Sequence, residues 1–293
     1  MSTFGDVTIR PPWPDEIPRV QHFLPPAFLF DPNPFLLVAV AGRVERFVGA
    51  LAMTLRPLEK IKATWLYLRV ENHHPSGAEM LRRSLEEAWA RGAQSVYFGQ
   101  TIDEESEGAG ALKEMGFEPA TIHEVYEVNS REIWERTDRI CQRLRARNLI
   151  PPDVELTTLQ PGVIPKVRQF LMTNLPESAS VLALEAAGYK AEHSIALVQK
   201  GEIRGVLLCR RAGQVGHIGL RAVAAELRGG FGWANLLLFH ASLRSGLQTG
   251  LEVSRFEFNP EQHFDTKQFA ELNGARFVGR RLLLKIIRSA QKG

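Results

Sequence analysis

The sequence predicts two α+β domains written in tandem, each a mixed, mostly antiparallel sheet flanked by helices, and three observations carry that expectation. Residues 17 to 24 read Ile-Pro-Arg-Val-Gln-His-Phe-Leu and residues 164 to 171 read Ile-Pro-Lys-Val-Arg-Gln-Phe-Leu, one pattern repeated 147 positions on. Other landmarks recur in the same order: Gly42, Gly49, Ala50 and Leu51 answer Gly201, Gly205, Val206 and Leu207, while 114–117 answers 272–275, the offset drifting to 156 and 158. Ordered partners at nearly constant separation mark two diverged copies with small loop insertions. The length, 293 residues, suits two domains that each bury a core.

Each copy spells the same series of elements. An opening strand, 7–9 or 154–156, leads into the Ile-Pro helix, where proline in the first turn gives up an N–H that has no helical partner anyway. Two strands joined by a tight turn follow: 36–41 and 47–54 around Gly42-Arg43, or 194–199 and 203–210 around Lys200-Gly201. A further strand, 64–70 or 215–223, runs into a long helix, 77–91 or 232–245. Then come a strand, 95–99 or 252–258, a short helix ending at Gly116-Phe117 or Gly274-Ala275, and a last strand, 124–128 or 281–287. Strands mixed with helices in this order read as one layered α+β domain per copy. Between them, Ser130 is placed to cap a helix whose apolar positions Ile133, Trp134, Thr137, Ile140, Cys141 and Leu144 share one face, and Pro151-Pro152 ends it. The expected divisions are residues 1–130, a connecting helix at 131–150, and residues 151–293.

Composition excludes several classes. There is no apolar run of 18 residues to span a bilayer and no basic-then-apolar leader at the N-terminus, so neither membrane insertion nor a signal peptide is expected. Cys141 and Cys209 are too few for a disulfide framework and lack metal-site spacing; Cys209, inside Val206-Leu-Leu-Cys, reads as a core thiol, and a reducing cytoplasm is the expected compartment. No metal site is expected: His73-His74 has no third ligand at useful spacing. Residues 1–130 carry 12 Lys+Arg against 18 Asp+Glu, net −6, and residues 131–293 carry 24 against 15, net +9. A polyanionic ligand would therefore favour the second copy. Arginines 204, 210, 211, 221 and 228 could form a patch, but no nucleic-acid motif accompanies them.

One loop has the chemistry of an anion site. Val223-Ala-Ala-Glu-Leu-Arg228-Gly229-Gly230-Phe231-Gly232-Trp233-Ala234 is a strand end, an Arg-Gly-Gly turn and a helix start. Glycines let backbone N–H groups face a phosphate with no Cβ in the way, and the helix N-terminus adds partial positive charge. The first copy's equivalent, 70–81, has no arginine before its helix and carries Glu79 near the helix start, which would repel a pyrophosphate.

The hairpin ending in glycine, the strand ending in valine, the Gly-rich turn opening a helix and the later Gly-Phe together resemble the GNAT superfamily of acyl-CoA-dependent N-acyltransferases, and the tandem layout is similar to that of its two-domain members. The resemblance implies acetyl-CoA or another acyl-CoA as co-substrate, a small-molecule or peptide amine as acceptor, and coenzyme phosphates held by Val223 and Arg228 to Ala234. A one-residue insertion reconciles the turn with the family's basic-x-x-Gly-x-small spacing. It further implies thioester polarisation by backbone N–H groups at a splayed strand, here 220–223. The tyrosine that many members place four residues before the late glycine is absent: Leu112 and Ala270 stand there. His263, with Glu257 and Asn259 nearby, is the candidate for proton transfer, because histidine titrates near neutrality. His217 is a second candidate, expected on the face opposite Ile218, Leu220 and Ala222, and Tyr189 a weaker one. The rival expectation is a non-catalytic protein that keeps the fold for binding or regulation.

Overall fold

The computed structural model describes residues 2–4, 7–20, 23–24, 34–42, 46–58, 61–71, 74–174, 189–227 and 232–288. In chain order these form β1 (Ser2–Phe4), β2 (Val7–Arg10), α1 (Ile17–Val20), β3 (Phe35–Ala41), β4 (Arg46–Leu58), β5 (Ile61–Val70), α2 (Ser76–Ala90), β6 (Ser95–Phe98), β7 (Ile102–Asp103), α3 (Glu107–Glu114) and β8 (Glu118–Asn129). Then come α4 (Ser130–Ala146), β9 (Val154–Thr158), α5 (Ile164–Asn174), β10 (Ile195–Gln199), β11 (Glu202–Ala212), β12 (Val215–Val223), α6 (Trp233–Gln248), β13 (Val253–Phe258), α7 (Phe264–Leu272) and β14 (Arg276–Ile287). The chain divides into two compact units, Met1–Ile122 with Arg281–Gly293, and His123–Arg280. Both divisions cut a long strand, β8 and β14.

In the first unit β1 to β5 pair antiparallel in sequence order, and β6 joins β5 in parallel after the α2 crossover. The strand beyond β6 is the far end of β14, with Lys285 to Ile287 antiparallel to Ser95 to Tyr97. In the second unit β9 to β12 are antiparallel neighbours, β13 joins β12 in parallel, and the far end of β8 completes the sheet, Glu124 to Asn129 lying against Val253 to Phe258. Each unit is thus finished by the strand that follows the other copy's late glycine.

Equivalent details recur in both sheets. β4 bulges against β3 between Ala39 and Val40, and β11 bulges against β10 between Leu197 and Val198. Gly49 and Gly205 follow these bulges, paired to Ala39 and Leu197. A Cβ at Gly205 would lie 3.0 Å from Leu238, and one at Gly49 3.5 Å from Met80, so small residues let α6 and α2 approach the sheet. The octapeptides lie at matching places, each opening the helix after the first paired strand. Val20 and Leu24 pack with Phe23 against Val38, Val40, Phe47, Ala50 and Ala52. Val167, Phe170 and Leu171 pack against Ala196, Val206, Leu208 and Ala222. The repeated Val, Phe and Leu therefore cover one side of each sheet, from α1 and the turn beyond it in the first unit and from α5 in the second, while α2 or α6 covers the other.

Two sequence expectations need correcting. Asn129, not Ser130, caps α4: its Oδ1 accepts from the N–H groups of Arg131 and Glu132, while Ser130 Oγ lies 2.9 Å from Ser254 Oγ in the core. Strict alternation also put Ile218, Leu220 and Ala222 on one face. A bulge in β12 breaks it: Leu207 faces Arg221 but Cys209 faces Ile218, so three residues of β12 span two of β11. Ile218 consequently packs on the α6 side, and Leu220 and Ala222 on the α5 side. His217, opposite Ile218, shares their face. Leu171 is fully buried and Met172 55% exposed. Leu171→Ala should cost about 2–5 kcal/mol in denaturant unfolding, and Met172→Ala no more than about 0.5.

Candidate active site

The site in the second unit is built where two parallel strands part. β12 and β13 are in register only from Val215↔Val253 to Ile218↔Phe256. Past that rung both continue, β12 to Val223 and β13 to Phe258, leaving facing backbone groups that no longer pair with each other. The β12 bulge falls on Gly219 and Leu220, the first residues beyond the last rung. Its effect is to re-aim the backbone at the mouth of the opening.

Glycine is required at 219. A Cβ there would lie 2.7 Å from Tyr189 Cε1 and 3.2 Å from its hydroxyl, so the tyrosine ring rests directly on the bulge. Tyr189 belongs to the α5 face of the sheet, with Arg210 over its ring. On the opposite face Arg221 donates from Nη2 to Thr266 Oγ1 of α7 at 3.1 Å, bridging from β12 to the helix after β13.

Glu257 is the first β13 residue beyond the last rung. Phe256 and Phe258 face the α6–α7 core, so alternation turns Glu257 to the face of Tyr189 and His217. Its Oε1 lies 3.5 Å from Nδ1 of His123, both side chains about one quarter exposed. Nothing in the local sequence marks His123, because β8 reaches β13 from more than a hundred residues away. Two rungs down, Arg255 Nε donates to Glu127 Oε1 at 2.8 Å on the same face. His263 precedes α7 and is exposed; its N–H donates to the Asn259 carbonyl, and Asn259 Oδ1 accepts from the Glu261 N–H. Asn259 and His263 therefore build the turn between β13 and α7.

The expected phosphate loop is partly in view. Val223 ends β12 in the core, paired to Gly205, and one turn of 3-10 helix, Ala225–Leu227, follows. Arg228, Gly229, Gly230 and Phe231 lie outside the described residues. Gly232 is the N-cap of α6 and accepts from the Leu236 N–H, with Trp233 and Ala234 opening the helix. Among the described residues no side chain caps this helix and no acidic residue stands in its first turn, so its leading N–H groups suit an anion. Glu226, in the preceding turn, is neutralised by Arg204.

No protein-family model and no curated protein sequence matches the chain. Solved structures do. The tandem GNAT protein of the clavulanic acid biosynthesis pathway matches with a TM-score of 0.62 at 14% identity, covering 97% of this chain and 99% of that one. A GCN5-related N-acetyltransferase from Sphaerobacter thermophilus matches at 0.54 and 15%, covering 98% and 97%, and a putative acetyltransferase from Pyrococcus horikoshii at 0.55 and 17%, covering 100% and 93%. The chain has the tandem GNAT fold. Identities this low speak for the fold alone.

Within that tandem GNAT fold the first unit has the same frame with the opening filled. β5 pairs with β6 through Leu66↔Phe98, the counterpart of Ile218↔Phe256, but β5 has no bulge and runs in unbroken register along β4. Gly99 stands where the second unit has Glu257 and donates its N–H to the Leu66 carbonyl at 2.6 Å. The ring of Tyr67, in Gly219's place, lies 2.0 Å from where a Cβ on Gly99 would be. The counterpart of His123 is Arg281, which donates to the Thr101 carbonyl. The start of α2 is equally furnished: His74 Nδ1 accepts from the Ser76 N–H, and Glu79 in the first turn binds Arg82 and Arg83.

Leu112 and Ala270, where the resemblance expects tyrosine, are core residues. Burial pushes the Cys209 thiol up to about 12, as befits an inert core group. Among the described residues no group of three or more His, Cys, Asp or Glu gathers to hold a metal, and no helix is long and apolar enough to cross a membrane.

Two substitutions check this geometry. Gly219→Ala should displace the Tyr189 ring and cost about 1–3 kcal/mol in unfolding free energy. Glu79 is held at about 2, below its ordinary 4.5, first by hydrogen bonds from Arg82 and then from Arg83. Its stabilisation is present above the ordinary carboxylate range and is lost as pH falls toward 2. Glu79→Gln should cost about 1 kcal/mol at pH 7, a gap that closes between about pH 5 and 2 in parallel melts.

Proposed function

We propose that the chain is an acyl-CoA-dependent N-acyltransferase whose second unit holds the coenzyme and transfers the acyl group, an acetyl group in the simplest case, to an amine. The observation that carries this reading is the β12 bulge, which falls where β12 leaves β13. Acyl transfer to an amine needs donors aimed at the carbonyl oxygen as negative charge develops there. Backbone N–H groups at the mouth of a sheet opening supply such donors without side-chain reorganisation. The uncapped start of α6 lies at the same end of β12, where Val223, Arg228 to Phe231, Gly232, Trp233 and Ala234 would receive the pyrophosphate. A thioester reaching from that turn into the opening would meet Gly219 and Leu220, with Glu257 across the gap and Asn259 and His263 at the acceptor end.

The first unit offers none of these: its strand is unbulged, Tyr67 fills the opening, and Glu79 occupies the helix start. Its role in this reading is support of the fold. A second reading, a non-catalytic GNAT-fold binding or regulatory protein, draws on Leu112 and Ala270, since neither copy has a tyrosine where one is expected to protonate the leaving thiolate. Coenzyme binding with no acyl transfer across a broad panel of amines would favour it.

Ligand-dependent melting tests the binding half directly. Acetyl-CoA at about a hundred times its dissociation constant should stabilise the whole chain by about 2.7 kcal/mol. Arg228→Ala should weaken binding about 10-fold or more, consistent with loss of a charge-assisted phosphate contact worth about 1.5–3 kcal/mol. No change in melting temperature with acetyl-CoA, a longer acyl-CoA or free CoA would rule this function out.

A further inference from the structure

We infer that His123, presented by β8 and oriented by Glu257, is the proton acceptor for the amine at the mouth of the β12–β13 opening. The inference rests on the acyl-transfer reading and names a residue that reading did not contain. Three observations converge on it. Glu257 is the first residue of β13 past the last rung shared with β12, so it borders the opening itself. Alternation turns it to the face on which Tyr189 covers the bulge, so donors, carboxylate and imidazole border one space. His123 Nδ1, not Nε2, is the nitrogen near Glu257 Oε1, at 3.5 Å.

That last detail sets the chemistry. A carboxylate beside Nδ1 holds the proton on Nδ1 and leaves the Nε2 lone pair as the basic site. Among the described residues no other partner of His123 is recorded, so Nε2 stays available. On the same face Arg255 is engaged by Glu127, and Lys267 of α7 is engaged by Glu124. His217 stands one rung below the opening, paired across β11 to Arg210. The first unit supplies an internal contrast, since Gly99 and Arg281 occupy the two equivalent positions and neither can accept a proton at neutral pH.

In the transfer step the amine nitrogen forms a bond to the thioester carbonyl carbon and the carbon–sulfur bond breaks. His123 Nε2 takes the proton lost by nitrogen, Glu257 stabilises the imidazolium, and the same proton count returns to the departing sulfur, so the enzyme ends as it began. Glu257 acts through the imidazole and is a positioning residue.

The experiment uses the full-length chain with acetyl-CoA, a panel of primary amines and release of free CoA thiol as the assay. His123→Ala should lower kcat by about 10²- to 10⁴-fold while leaving the acetyl-CoA melting shift unchanged. Added imidazole should restore part of that rate in His123→Ala and none in wild type. Nitrogen-15 shifts of the ring should show wild-type His123 protonated on Nδ1, a preference that Glu257→Gln removes. If His123→Ala folds poorly, His123→Gln and the Glu257→Gln tautomer measurement carry the test. Wild-type turnover in the His123 variants, or an Nε2–H tautomer in wild type, overturns this assignment while leaving the acyl-transfer reading intact. Absence of acyl transfer by the wild-type chain overturns both.

Discussion

Everything in the candidate site follows from one break in a hydrogen-bond ladder. β12 and β13 share four rungs and then separate, although both strands continue. Parting two parallel strands inside a sheet costs backbone pairing, and buried amides left without partners are expensive. The second unit meets that cost with a bulge that redirects the β12 backbone, a glycine under a tyrosine ring, and an arginine on the other face that ties β12 to α7.

Comparison of the two units shows how little must change to close such an opening. The frame is the same, down to the bulge and the small residue where the long helix leans on the sheet. Only the lining differs: an unbulged β5, a tyrosine at 67 and a glycine at 99 turn a gap into packed core. The helix start differs too: at α2 His74 accepts from the Ser76 N–H and Glu79 places a carboxylate in the first turn, where α6 has no acidic residue. Net charge points the same way, negative in the first copy's residues and positive in the second's.

The scaffold was readable in the sequence because its signals are local. The repeated Val, Phe and Leu of the two octapeptides, the Lys200-Gly201 turn with both residues at positive φ, and the glycines after the late helices each act over a few residues. The parting of β12 from β13 was expected at 220–223, close to where it occurs, but the bulge was not. A bulge shows in sequence only as one extra residue, and it inverted the assigned faces of Leu220 and Ala222. His123 was invisible for a different reason. It lies beside a residue 134 positions away, through a strand pairing that hydrophobic alternation does not encode.

That pairing also governs how the chain can come into being. The second partner of β6, beside β5, is the end of β14, so nearly two hundred residues must be synthesised between the two. At ordinary translation speeds that is roughly 10–40 s during which β6 presents an unpaired strand edge on a nascent protein. The second unit waits the other way, with its closing strand made early and the strand it closes made late. Neither sheet can be finished until β13 or β14 has been made, which ties the folding of the two copies together in time, whatever their separate ancestry in sequence. A cut at the midpoint would accordingly yield two fragments that each lack the strand their sheet requires and carry one that belongs elsewhere.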